Sequence, residues 1–171
     1  MNDKTAQPGA AGLLFLREDE LRLAQELIFF ANRDLVASAD AILAEIGFGR
    51  AHHRALHFIG RNPDLPVGEL LAILGIAKQS LARVLGPLIR DGYVVQTPGR
   101  TDRRQRLLSL TPSGQALERR LFEAQRERLT TAFREAGGPA VEGFRKVLRG
   151  MMKAEAREYL DRSEAARHQR R

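Results

Sequence analysis

Arg100, Arg103 and Arg104 crowd the stretch from Gly99 to Arg104, which also holds Thr101 and Asp102 and separates two short β-type runs. A hairpin with so cationic a tip suits a groove lined with phosphates, because a narrow groove of negative potential attracts arginine. A carboxylate is repelled by phosphate. Asp102 is therefore expected to orient a neighbouring arginine through a charge-assisted hydrogen bond. A solvated turn is the bland alternative.

The segment just before the hairpin reads as a helix-turn-helix. Leu70, Leu74, Ile76, Leu81 and Val84 are apolar, and Gly75 falls between the two helical runs. Glycine permits the tight corner, and the five apolar side chains lock the helices at a fixed angle. Lys78, Gln79, Ser80, Ala82 and Arg83 are left facing outward on the second helix. Gln can pair with adenine and Arg with guanine, each worth roughly 1–3 kcal/mol of discrimination. An ordinary helical hairpin would show the same polar face, and the adjoining cationic hairpin decides between them. From Lys78 to Arg106 there are seven basic and two acidic side chains, a local net charge of +5.

His53 and His57 are four residues apart, on one helical face, and His52 adjoins them. Such a pair can ligate zinc, but no cysteine and no evident third ligand accompanies it. With Phe29, Phe30 and Arg33 the two histidines could instead line a small-molecule cleft between the first two helices. Aromatic residues at these positions are more often core than ligand box. Arg50, Arg54 and Arg61 offer further phosphate contacts or a solvated face.

Helical periodicity runs from about Glu18 to Ile46, through Leu23, Leu27, Ala31, Leu35 and Ile42, and ends at Gly47 and Gly49. Further helices are expected over about Arg50–Arg61, Val67–Leu74 and Lys78–Asp91, with a turn cluster at Asn62–Pro66. Strands follow at about Tyr93–Thr97 and Gln105–Leu110. Thr111 and Pro112 form an N-cap and first helical residue, opening a helix to about Glu135 with Leu117, Leu121 and Leu129 inward. Ala136-Gly137-Gly138 breaks it, and Pro139 starts a last helix with Val141, Phe144, Leu148 and Met151 on one stripe. The fold class is mainly α with one small β-hairpin. The flanking helices carry more apolar surface than the middle unit can cover, so a second copy of the chain is the expected partner.

The chain has 171 residues, a net charge of +7 and a pI near 10.7. This balance favours a polyanionic partner, nucleic acid before a membrane surface. No cysteine is present, which excludes disulfides and thiolate chemistry. The apolar run Ala10–Leu16 is too short to span a bilayer, and no signal-peptide layout surrounds it, so a cytoplasmic protein is expected. There is no HExxH, no glycine-rich phosphate loop and no G-x-S-x-G. No catalytic residue, cofactor or resident metal is expected.

The run Thr101–Thr111 resembles the D-x-R-x-x-x-L-x-L-T wing signature of the MarR transcriptional regulators, with Asp102, Arg104, Leu108, Leu110 and Thr111 matching position by position. Leu70–Arg83, Leu88 and Asp91-Gly92-Tyr93-Val94 are similar to that family's helix-turn-helix and its exit. The resemblance is good over about Ile42–Leu121. It implies a homodimeric winged helix-turn-helix regulator of duplex DNA, with Lys78, Gln79, Ser80 and Arg83 on the recognition helix. Arg100, Asp102, Arg103 and Arg104 would form the wing, with Arg104 as the wing arginine. Composition marks a loose tail (1–12) and a frayed basic tail (162–171); between them the resemblance implies an N-terminal dimerisation helix (13–48), a DNA-binding domain (49–111) and C-terminal dimerisation helices (112–161). A small aromatic or anionic effector is a further implication. A histidine-dependent metal sensor and a winged-helix protein-interaction module are the alternatives. Three departures stand out: Ala77 replaces a capping Ser or Thr, Leu71 replaces a small residue, and Gly86-Pro87 within the recognition helix predicts a bend.

Overall fold

Ala55, Leu56 and Ile59, on the inner stripe of α2 (Arg50–Arg61), are wholly withdrawn from solvent. The computed structural model describes residues 14–168; the expected tail at 1–12 and the chain end at 169–171 lie outside them. Around α2 pack α1 (Glu18–Glu45), α3 (Val67–Leu74), α4 (Lys78–Arg90), β3 (Arg106–Leu110) and α5 (Pro112–Met151). Two further strands, β1 (Leu65–Pro66) and β2 (Val94–Pro98), and a last helix α6 (Ala154–His168) complete the fold. Leu43, Leu70, Leu81, Leu88, Leu108 and Leu121 join α2 in one core. No single helix among the described residues is long and apolar enough to cross a membrane.

The sheet is antiparallel in the order β1-β3-β2, with Leu108 opposite Leu65 on one side and Gln96 on the other. The sequence reads Asn62–Pro66 only as a turn. Asp64, at φ 62°, makes that turn, and its carboxylate accepts a hydrogen bond from Ser109 Oγ at 2.9 Å. This brings Leu65 and Pro66 alongside β3, and Pro66 is tolerated because β1 is an edge strand.

Gly75 ends α3 in the left-handed region at φ 60°, and α3 and α4 meet at a bend of 115°. That is the corner a helix-turn-helix requires. Leu74 and Ile76 on either side are packed against the core, as is Leu71. The Gly86-Pro87 pair, where the sequence predicts a bend, does not end the helix: α4 continues through Pro87 to Arg90. The reason is Gly86. A proline crowds the Cβ of the residue before it, and glycine has none.

Thr111 caps α5, accepting the Gly114 N–H on its Oγ1 at 3.1 Å, with Pro112 in the first turn. Gly137 interrupts that helix at φ 77°, ψ 166°, where the sequence places its break. Phe133 and Phe144 meet across the corner with centroids 6.2 Å apart. A second break, at Met152, is not signalled in the sequence, which continues the last helix to about residue 161. Arg149 bridges it with bonds to Asp161 (2.6 Å) and Glu164 (2.7 Å), folding α6 back. The basic end expected to fray is helical as far as His168.

Only the second half of α1 meets the core, through Ala39 and Leu43. Gln125 Nε2 donates to the Leu35 carbonyl, Ser38 Oγ to that of Ala124, and Arg120 pairs with Glu45, so this half lies along α5. The first half projects: Leu27 and Phe29 are 61% and 62% exposed, and Val147 and Met151 on α5 are as bare. Leu108→Ala should lower stability by about 2–5 kcal/mol, since it leaves a cavity where sheet and helices meet. Urea unfolding followed by circular dichroism measures the loss.

Candidate nucleic-acid interface

The spacing of α4 separates two faces. Leu81, Val84, Leu85 and Leu88 are buried, and Lys78, Gln79, Ser80, Ala82 and Arg83 are exposed. Ala77 at the N-cap makes no side-chain bond, so the first-turn N–H groups of α4 have no capping partner. The helix thus presents a short, polar, basic edge raised on an apolar base.

Strands β2 and β3 carry Gly99–Gln105 as the tip. Gln105 N–H donates to Asp102 O at 3.1 Å, which closes a turn beginning at Asp102. The Asp102 carboxylate accepts the backbone N–H of Arg104 at 2.9 Å. The expected charge-assisted bond to a neighbouring arginine is thus made to the Arg104 backbone, and among the described residues no arginine side chain is ion-paired with Asp102. Asp102 shapes the backbone that bears Arg104, as a short side chain hydrogen-bonding two residues ahead does. Gly99 is a residue that sequence reasoning passed over. Its N–H donates to Gln105 O at 2.9 Å, and a Cβ there would stand 2.5 Å from Asp102 O. The Asp at the head of a turn and the Gly before it are the signals that could have found this arrangement.

Lys78, Arg83, Arg100, Arg103, Arg104 and Arg106 are all exposed, and among the described residues none of them is ion-paired. Arg90 is different: Asp91 holds it at 2.8 Å. Arg50 is likewise bound to Asp40 at 2.8 Å and so is not a free phosphate contact.

The histidines divide. His52 accepts the Gly49 N–H on Nδ1 at 3.1 Å, capping α2, and stacks on Phe48. His53 and His57 line a cleft of about 340 Å³ with Asn32, Val36, Arg54 and Gln125. Phe29, Phe30 and Arg33 do not line it. Arg33 lies over the Phe30 ring at 4.7 Å and Phe29 packs edge-on to Phe30, on the projecting half of α1. The predicted five-residue cluster is therefore two separate groups. Glu118, which the sequence did not single out, lies 3.6 Å from His57. Burial pushes His52, His53 and His57 down from the ordinary imidazole value, and pushes the Glu118 carboxyl up. No group of three or more ligating side chains among the described residues could hold a metal.

Comparison with known proteins agrees with this geometry. A family model described as "MarR family" matches residues 46–105. The HTH-type transcriptional regulator PetP of Rhodobacter capsulatus is 53% identical over 148 residues, covering 86% of this chain and 89% of the relative. Among solved structures, a mutant MarR from E. coli complexed with operator DNA superposes with a TM-score of 0.59 at 22% identity, covering 82% of this chain and 99% of that one. A MepR–DNA complex from S. aureus gives 0.58 at 17%, covering 74% and 94%.

Asp102→Ala should speed amide hydrogen exchange at Arg104 and leave the melting temperature nearly unchanged, as measured by exchange mass spectrometry and calorimetry. The histidines imply a pH dependence. Their folded pKa values lie below the unfolded one of 6.5, so the unfolded chain binds more protons as pH falls past that value. Thermal stability should therefore drop between pH 7.5 and 5.5, and His57→Gln should flatten the drop. Glu118 acts in the opposite sense, around and above 4.5, because its folded pKa is raised.

Proposed function

The chain belongs to the MarR family of DNA-binding transcriptional regulators, and we propose that it reads a pseudo-palindromic operator as a homodimer. The bare apolar faces of α1 and the outer part of α5 supply the pairing surface, since an exposed stripe this long is stable only when covered. Two α4 helices then enter successive major grooves about one helical turn apart, and the wings reach the flanking minor grooves.

The observation that carries this reading is the set of exposed cations without ion-pair partners on α4 and the wing. Neutralising phosphates with such groups releases counterions, so affinity falls steeply with salt. Gln79 and Arg83 are the base-reading side chains, and Arg104 enters the minor groove. The cleft between α1 and α2, with His53, His57 and the exposed Arg54, suits a small aromatic or anionic effector.

Fluorescence anisotropy on a duplex selected from the source genome tests the proposal. Arg104→Ala should weaken binding about 10- to 100-fold without unfolding the protein. Wild-type affinity in that variant would remove Arg104 from the interface. Indifference of the unaltered protein to duplex DNA at low salt would defeat the whole reading.

A further inference from the structure

Tyr93 stands where α4 has ended and β2 has not begun, and it is gripped from several directions. Its N–H donates to Leu88 O at 2.9 Å, and its carbonyl accepts the Thr111 N–H at 3.1 Å. Thr111 Oγ1 donates to the Gly92 carbonyl at 2.6 Å, with the Tyr93 carbonyl 3.3 Å away, while accepting the Gly114 N–H. Gly114 lies so close that a Cβ there would collide with Tyr93 O. The Tyr93 ring meets Phe48, at the α1–α2 corner, edge to face at 5.5 Å.

One residue thus opens α5 and also fastens the root of the wing, by a backbone bond to Tyr93 and a hydroxyl bond to Gly92. Two attachment points to successive carbonyls restrain direction as well as distance. We infer that Thr111 is a positioning residue for DNA reading, setting the angle at which α4 and the wing leave α5. The inference rests on the proposal that α4 and the wing read DNA. The lever it governs is long: from Pro112 to the Gly137 corner α5 extends about 37 Å at about 1.5 Å per residue. Play of about 5° at one end moves the other by about 3 Å, close to the base-pair step of about 3.4 Å. A loosened joint would therefore blur half-site spacing by about one base pair.

Thr111→Val keeps the shape and loses both hydroxyl bonds, whereas Thr111→Ser keeps them. Each full-length protein is used to select from random duplexes, and the enriched half-site spacings are sequenced. The wild type and Thr111→Ser should return one spacing, and Thr111→Val the same half-site bases over two or more spacings. The absence of cysteine allows a second readout. Spin labels at Thr101→Cys and Glu127→Cys, diluted with unlabelled chain, report the wing-to-α5 distance, whose distribution should broaden only in Thr111→Val. A merely structural cap would lower the melting temperature of Thr111→Val and leave spacing and distance width as in the wild type. That result overturns the inference. A wild type that enriches no duplex refutes DNA reading instead, and the label distances still decide the joint.

Discussion

Burial of the α2 stripe is the constraint on which the other elements depend. Leu56 and Ile59 exclude water only because α1, α3, α4, β3 and α5 each contribute apolar side chains around them. The helices on either side of Gly75 and the central strand β3 all rest part of their apolar surface on α2. A helix such as α4, with a polar outer edge and no capping side chain, has little reason to hold its shape alone. Leu81, Val84, Leu85 and Leu88 fix it from beneath, leaving its outer edge to chemistry rather than to folding.

The charges follow from the same division. Elsewhere on the surface many arginines have carboxylate partners, such as Arg22 with Glu18, Arg120 with Glu45, and Arg149 with Asp161 and Glu164. On α4 and the wing, Arg90 apart, the exposed cations lack such partners among the described residues, and the one carboxylate at the tip is engaged with backbone. Cations held apart by a rigid support, without internal neutralisation, attract phosphate at no cost of breaking an existing pair.

Much of this was legible in the sequence, and the exceptions have physical causes. The bounds of α2 and α3 lie where periodicity meets Gly49, Asn62 and Gly75, because local punctuation sets helix ends. The Gly137 break and the Thr111 cap are equally local. β1 was not legible: two residues have no period, and their pairing with β3 is long-range. The α6 break depends on Arg149 reaching across to Asp161 and Glu164, again a tertiary matter. Grouping Phe29, Phe30 and Arg33 with the histidines failed because α1 outruns the core, so that Asn32 and Val36 are its residues at the cleft. Asp102 illustrates a subtler limit, since spacing alone does not tell whether a carboxylate serves a neighbouring side chain or the chain's own amide.

Gly137 divides α5 into an inner limb, capped by Thr111 at the root of the wing, and an outer limb carrying Phe144, Val147 and Met151. Nothing stands within 4 Å of where a Cβ would be, so the requirement for glycine there is one of torsion, not of space. The heading of the outer limb accordingly turns on that backbone dihedral pair and on the Phe133–Phe144 contact across the corner, both separate from the contacts that shape α4 and the wing. Changes in how the outer limb is aimed can therefore accumulate without disturbing the packing that holds α4 and the wing.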